Sequence, residues 1–220
     1  MENTISGLDG QLLNLTGKFM YYKKHTGIPS LPNDIKQQLI QIAEQGIQNN
    51  IPMVVWYSGY QTKDKNSVAF VEFDKRFQES GGHETGGVGF YLIPQELIDS
   101  ICKFYKTINH PDITFNYYYL QIVTGGNFVG PHIDDPRART DGMLYLLKAG
   151  GADVRTTWYE VKTDYQHLAL ENYSVIPYSK LDQIEDHCLE EDMWHWLNFN
   201  KIHGVTNQES LRIALWGTYS

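Results

Sequence analysis

The spacing of apolar residues changes character along the chain, and the change marks out two regions. Ile35, Leu39, Ile42, Ala43 and Ile47 recur at steps of three and four, which keeps one face of an α-helix apolar. This predicts an amphipathic helix over residues 34 to 48, with Asn33 as N-cap, Asp34 in the first turn, and Asn49, Asn50 and Pro52 as the stop. Leu97, Ile98, Ile101, Phe104, Tyr105 and Ile108 repeat the pattern and predict a second helix to residue 108, with Pro94 at its first helical position. Around these helices lie shorter signals. Weak alternation at 11–15 and 18–22 suggests strands and turns, and the apolar runs 52–57, 67–73 and 90–93 read as strands. Residues 75–89 are polar and Gly-rich and read as a surface loop, or as a lid over a site.

From Ile113 onward the pattern becomes period-two or continuously apolar. Strands are expected at 113–124, 127–133, 143–148, 154–161, 173–176, 194–199, 203–206 and 211–216, separated by turns such as Gly125-Gly126 and Gly150-Gly151. Residues 180–192 read as an acidic, polar connection. Some eight short strands in succession suggest a sandwich or jelly roll. The helices precede them and are expected to pack on one face of a sheet, giving a mainly β (α+β) fold.

Composition narrows the class. A chain of 220 residues suits a single domain, with 1–112 supporting a core at 113–218, and 15 Tyr, 9 Phe and 5 Trp favour sheet. A net charge of -8 argues against nucleic acid or an anionic membrane as partner, leaving a small molecule or peptide. Cys102 and Cys188 have no metal-finger spacing, the N-terminus has no leader pattern, and no apolar run suits a membrane span. A reducing cytoplasm is the expected location.

The candidate chemistry sits in Gly125-Gly-Asn-Phe-Val-Gly-Pro-His-Ile-Asp-Asp135. In an extended segment His132 and Asp134 point to the same side, with Ile133 turned away. An imidazole and a carboxylate on one edge are two parts of the 2-His-1-carboxylate set that leaves open positions on a non-haem iron. His110-Pro-Asp112 has the same spacing, but its central proline and its place after a helix read as a turn. A second histidine must come from elsewhere. His187 lies in the acidic stretch, His195 between two tryptophans as a packed or partly exposed neighbour, and His167 in a loop or short helix. His203 opens a short strand, nine residues ahead of Arg212 in the apolar run Leu211–Trp216. A buried arginine needs an internal carboxylate or a bound one.

The order His-X-Asp, distal His, strand Arg resembles the Fe(II)/2-oxoglutarate-dependent oxygenases over residues 113–218. Leu120–Asp134 and Leu144–Ala152 are similar to the strand-turn-strand and the following strand of prolyl-4-hydroxylase-like members. His203-Gly-Val-Thr-Asn207 with Arg212 looks like the ending of the aspartyl/asparaginyl β-hydroxylase-like branch. The chain departs from the prolyl hydroxylases in having Arg212 where they often carry Lys, and it lacks the Arg/Asn motif of nucleic-acid demethylases. The resemblance implies a double-stranded β-helix (jelly-roll) core. It implies Fe(II) on His132, Asp134 and His203, 2-oxoglutarate with its distal carboxylate on Arg212, and O2 as co-substrate. The implied reaction hydroxylates a C–H bond of a peptide, amino acid or small metabolite and releases succinate and CO2. Tyr117, Tyr119 and Gln121 share a face of the lead-in strand and are candidates to contact 2-oxoglutarate or substrate. Arg137, Arg139 and Tyr159 are candidates for substrate. Two other readings use the same residues: a non-catalytic cupin-like binding protein, and a zinc hydrolase.

Overall fold

Both stretches of helical spacing fold as helices, α1 at Asn33–Gln48 and α2 at Gln95–Thr107. The computed structural model describes residues 5–6, 12–13, 21–49, 55–57, 60–62, 88–108, 119–123, 129–133, 142–165, 178–206 and 208–218. α1 buries Ile35, Leu39, Ala43 and Gly46, and α2 buries Leu97, Ile101 and Tyr105. Each helix starts one residue away from the expected place. Pro32 and Pro94 hold the cap positions, with φ of -54° and -56° and ψ of 143° and 141°. Their carbonyls accept the first intrahelical bonds, from Lys36 N (3.0 Å) and Ile98 N (3.2 Å). Asn33 is therefore the first helical residue rather than the cap. Proline's fixed φ serves the cap as well as the first turn, so composition alone does not separate the two.

Short ladders join β1 (Ile5–Ser6) to β2 (Leu12–Leu13) and β4 (Val55–Tyr57) to β5 (Tyr60–Thr62). Two larger antiparallel sheets make the core. One has six strands in the order β3 (Tyr22–Lys24), β12 (Met193–Leu197), β9 (Gly142–Lys148), β14 (Arg212–Thr218), β7 (Tyr119–Val123) and β6 (Val88–Leu92). The other has four, in the order β11 (Leu181–Cys188), β10 (Arg155–Val161), β13 (Ile202–Thr206) and β8 (Val129–His132). From β7 to β14 the chain passes back and forth between the sheets. The quartet β12-β9-β14-β7 faces the quartet β11-β10-β13-β8, which is the strand order of a double-stranded β-helix. β3 and β6 extend the larger sheet at its two edges.

Period-two alternation then sorts side chains between two apolar layers. Met143, Tyr145, Leu147, Ile213 and Leu215 turn outward to Leu39, Leu97, Ile101 and Tyr105 of the helices. Leu144, Leu146, Ala214 and Trp216 turn inward and meet Trp158 of the smaller sheet. This is why β9 reads as a continuous apolar run: both of its faces are covered. Full burial of each such side chain contributes roughly 1.5–3 kcal/mol. Tyr105 stays in the core because its hydroxyl is used, accepting from Trp194 Nε1–H at 2.5 Å and donating to the Pro29 carbonyl at 3.1 Å. A methyl at Gly46 would lie 2.6 Å from the Tyr91 ring, so α1 rests directly on this tyrosine. The helices cover one face of one sheet, as the spacing led us to expect.

Two expectations are corrected. Residues 181–188 are not a connection but strand β11, at the edge of its sheet, where Leu181 is buried and the rest is exposed or half-buried. An edge strand with a wet outer face carries polar residues that hydropathy does not distinguish from a loop. Residues 88 and 89 belong to strand β6 rather than to the glycine-rich loop. The rest of that loop and the strands expected at 67–73, 113–118 and 173–176 lie outside the described residues. No described helix is long and apolar enough to cross a membrane.

Candidate metal centre

His132 ends β8 and His203 lies near the start of β13, and the two are direct partners across the ladder. Their rings stand 4.5 Å apart, centroid to centroid. On the other side His203 is paired with Trp158, whose ring is in the inward layer, so this histidine faces the space between the sheets. Each Nδ1 makes a hydrogen bond to the backbone carbonyl two residues earlier. His132 uses Gly130 O at 2.8 Å and His203 uses Lys201 O at 2.9 Å. A carbonyl only accepts, so Nδ1 carries the proton in both rings and Nε2 carries the lone pair. Metal-bound histidines are oriented by this kind of second contact. The imidazoles thus suit a metal held through Nε2.

Phe199 packs beside the pair, 5.0 Å from the His203 ring and 4.5 Å from Trp216. It has room because residue 142 is glycine: a Cβ there would lie 1.8 Å from the Phe199 ring. Asp134, the third expected ligand, lies outside the described residues, as do Arg137, Arg139, Tyr117, His110 and His167. Among the described residues no group of three His, Cys, Asp or Glu side chains gathers around one point.

Arg212 opens β14 and is 2% exposed. It shares the inward face of β14 with Ala214 and Trp216, and Trp216 touches Phe199, so guanidinium and imidazoles belong to one inter-sheet space. Its Nη1 donates to the Ala149 carbonyl at 3.3 Å, and its Nε has no hydrogen-bond partner among the described residues. No described carboxylate pairs with it. Burial pulls its pKa down to about 10, which leaves it charged at neutral pH. The β9–β10 turn is pressed against it. Gly150 takes a φ of +89°, and a Cβ there would lie 3.0 Å from the Arg212 Cβ. The Gly150 carbonyl accepts from Glu209 N at 3.0 Å and Ser210 N at 2.7 Å. Gln208 Nε2 donates to the carbonyls of Val123 (2.5 Å) and Ser210 (3.0 Å) and closes this end of the barrel.

Gln121 is half-buried and paired with Ala214, which puts it on the inward face. Tyr119 is paired with Trp216, and its side chain lies outside what is described. Tyr159 is corrected. It packs with Leu181 and Ile202 on the far face of the smaller sheet, because it is the immediate neighbour of inward Trp158. It does not share a face with the histidines. His195 is fully buried, as a packed neighbour should be. Its Nε2–H donates to the Glu190 carbonyl at 2.8 Å, and its Nδ1 accepts from the Tyr22 hydroxyl at 3.2 Å. Burial, with the nearby Arg212 charge adding to it, lowers the His195 pKa, so the ring is neutral and both nitrogens are used. His187 bonds Glu185 at 2.6 Å and stacks on Tyr22 at 4.2 Å. Sequence reasoning missed Phe199, Gly142, Gly150 and Gln208. Only the Gly150-Gly151 turn left a signal, and its contact with Arg212 needed the fold.

No protein-family model matches the chain, and no curated protein does. Solved structures do. A Pseudomonas putida prolyl-4-hydroxylase is 12% identical over 90% of each chain, with a TM-score of 0.46. The non-heme alpha ketoglutarate dependent epimerase SnoN from nogalamycin biosynthesis is 7% identical over 90% of this chain and 77% of that one, with a TM-score of 0.47. YcfD, a ribosomal oxygenase from Escherichia coli in complex with cobalt and 2-oxoglutarate, is 18% identical over 57% of this chain and 28% of that one, with a TM-score of 0.34. At these identities and TM-scores nothing further is drawn from the likeness, and the jelly-roll strand order rests on the ladders described above.

Proposed function

We propose that this protein is an Fe(II)- and 2-oxoglutarate-dependent oxygenase that hydroxylates a C–H bond of a peptide, amino acid or small metabolite, releasing succinate and CO2. One observation carries the reading. Two histidines 71 positions apart (203 − 132) meet across a ladder, both with Nδ1 committed to backbone and Nε2 basic. Asp134 would complete the ligand set. Arg212 would hold the distal carboxylate of 2-oxoglutarate, which accounts for a charged guanidinium kept at 2% exposure with no described carboxylate beside it. A cupin-like binding protein would instead pair Arg212 with an internal carboxylate, and no described carboxylate does so. The bound iron and 2-oxoglutarate would supply the activation of O2, which no side chain provides. The chain's own part is positional. The Gly130 and Lys201 carbonyls fix the imidazole planes, and Phe199, Trp158 and Trp216 fill the inter-sheet space and exclude water from it.

The test is anaerobic addition of Fe(II) and 2-oxoglutarate, read by the metal-to-ligand charge-transfer band and then by succinate release in air. The wild type should give both, and His203→Ala should lose the band. No band in the wild type, or a full band in His203→Ala, rejects the proposal.

A further inference from the structure

We infer that Glu160 is the substrate-recognition group at the mouth of this site, and that the substrate presents it with a cationic nitrogen, an ammonium or a guanidinium. Thr156 and Trp158 are buried on the inward face of β10, and period two puts Glu160 on the same face one step further on. Trp158 stands directly across from His203, so Glu160 is diagonal to that histidine, about 7–8 Å away between backbones. It lies toward the end of the barrel where β13 begins, and it is exposed.

Its carboxylate is held in place. The Tyr21 hydroxyl donates to Glu160 Oε1 at 3.3 Å, and Tyr21 is itself only 8% exposed. The Tyr21 ring packs against Trp158 at 6.2 Å. The backbone of Asn198 ties both down, donating its N–H to the Tyr21 carbonyl at 3.0 Å and accepting Trp158 Nε1–H at 3.1 Å. An ionised carboxylate has about four acceptor sites and one hydroxyl uses one of them, so most of its capacity remains for a donor arriving from outside. Two further carboxylates lie on this face: Glu185, across from Trp158, is already taken by His187, and exposed Asp182, directly across from Glu160, adds a second negative charge beside it. Glu160 has no ion pair among the described residues. A charged, pre-oriented acceptor beside the histidine pair selects positive donors and repels carboxylates and phosphates, and the chain's net charge of -8 works in the same direction.

The inference rests on the oxygenase reading only for the chemistry after binding, and the experiment separates the two. Acetyl-Gly-Ala-X-Ala-Gly-amide peptides with X as Lys, Arg, Gln or Glu are titrated calorimetrically into the full chain. The titrations are run metal-free and with cobalt(II) plus 2-oxoglutarate. The Lys or Arg peptide should bind at least about tenfold more tightly than the Glu peptide, an ordinary margin for a charge-assisted contact. Glu160→Gln should erase that margin, Glu160→Lys should invert it, and Tyr21→Phe should shrink it. Equal affinity for all four peptides, or a preference that survives Glu160→Gln, overturns the inference. A wild type that keeps the preference but gives no charge-transfer band would reject the oxygenase and leave the cation site standing.

Discussion

At the scale of the residue, Arg212 separates structure from function most sharply. Burying an unpaired charge is costly, and here only a carbonyl at 3.3 Å offsets the cost within the described residues. Replacing a structurally paired buried arginine leaves its partner stranded and destabilises by about 3–5 kcal/mol. Replacing one that waits for a ligand removes a penalty. Arg212→Met should therefore keep or raise Tm, while 2-oxoglutarate affinity, read by titrating the charge-transfer band, falls at least about a hundredfold. A large loss of Tm would mean that the guanidinium serves the fold. The strand context and apolar flanks of Arg212 were readable from the chain alone. The choice between an internal carboxylate and a bound one was not, because it depends on which side chains the fold brings near.

At the scale of the element, β9 shows how tightly the two layers are coupled. Gly142 begins that strand, and its missing side chain is the space into which the Phe199 ring fits. Gly142→Ala should destabilise by about 1–3 kcal/mol through overpacking. Because Phe199 lies 5.0 Å from His203, cobalt(II) affinity should weaken as well. Gly27→Ala, where a Cβ would meet nothing within 4 Å, is the control and should change neither. Thermal melts and metal titrations on both variants decide the matter, and a Gly142→Ala protein with unaltered metal binding would show that Phe199 does not support the site. The helices were legible at this scale because burial on one face imposes a 3.6-residue period. β11 was not, since an edge strand in contact with water needs no apolar period.

At the scale of the whole molecule, half-buried His25 and buried His195 shape the response to pH. Burial, chiefly, holds the pKa of His25 and of His195 below the ordinary 6.5. Unfolded chains then take up protons that the folded protein refuses as pH falls past that value. The stability tied to these groups is present above about pH 6.5 and is lost as pH drops toward their folded values, by at most about 1.4 kcal/mol per pH unit for each proton. The Tm of metal-free protein should fall between pH 8 and pH 5, and His195→Gln should flatten the slope. An equally steep slope in that variant would remove His195 as a cause.

Taken alone, the chain determined two amphipathic helices, a run of short strands, a His-X-Asp edge and an arginine inside an apolar strand. All of these are local, because a repeat of 3.6 or 2 residues is written in neighbouring positions. The tertiary structure decided what is non-local: that His203 stands opposite His132, that Tyr159 faces away from both, and that the Tyr21 hydroxyl meets the Glu160 carboxylate. Alternation tells which residues of one strand share a side. Only the register between strands tells what that side looks at, and register is set by the packing of the entire barrel.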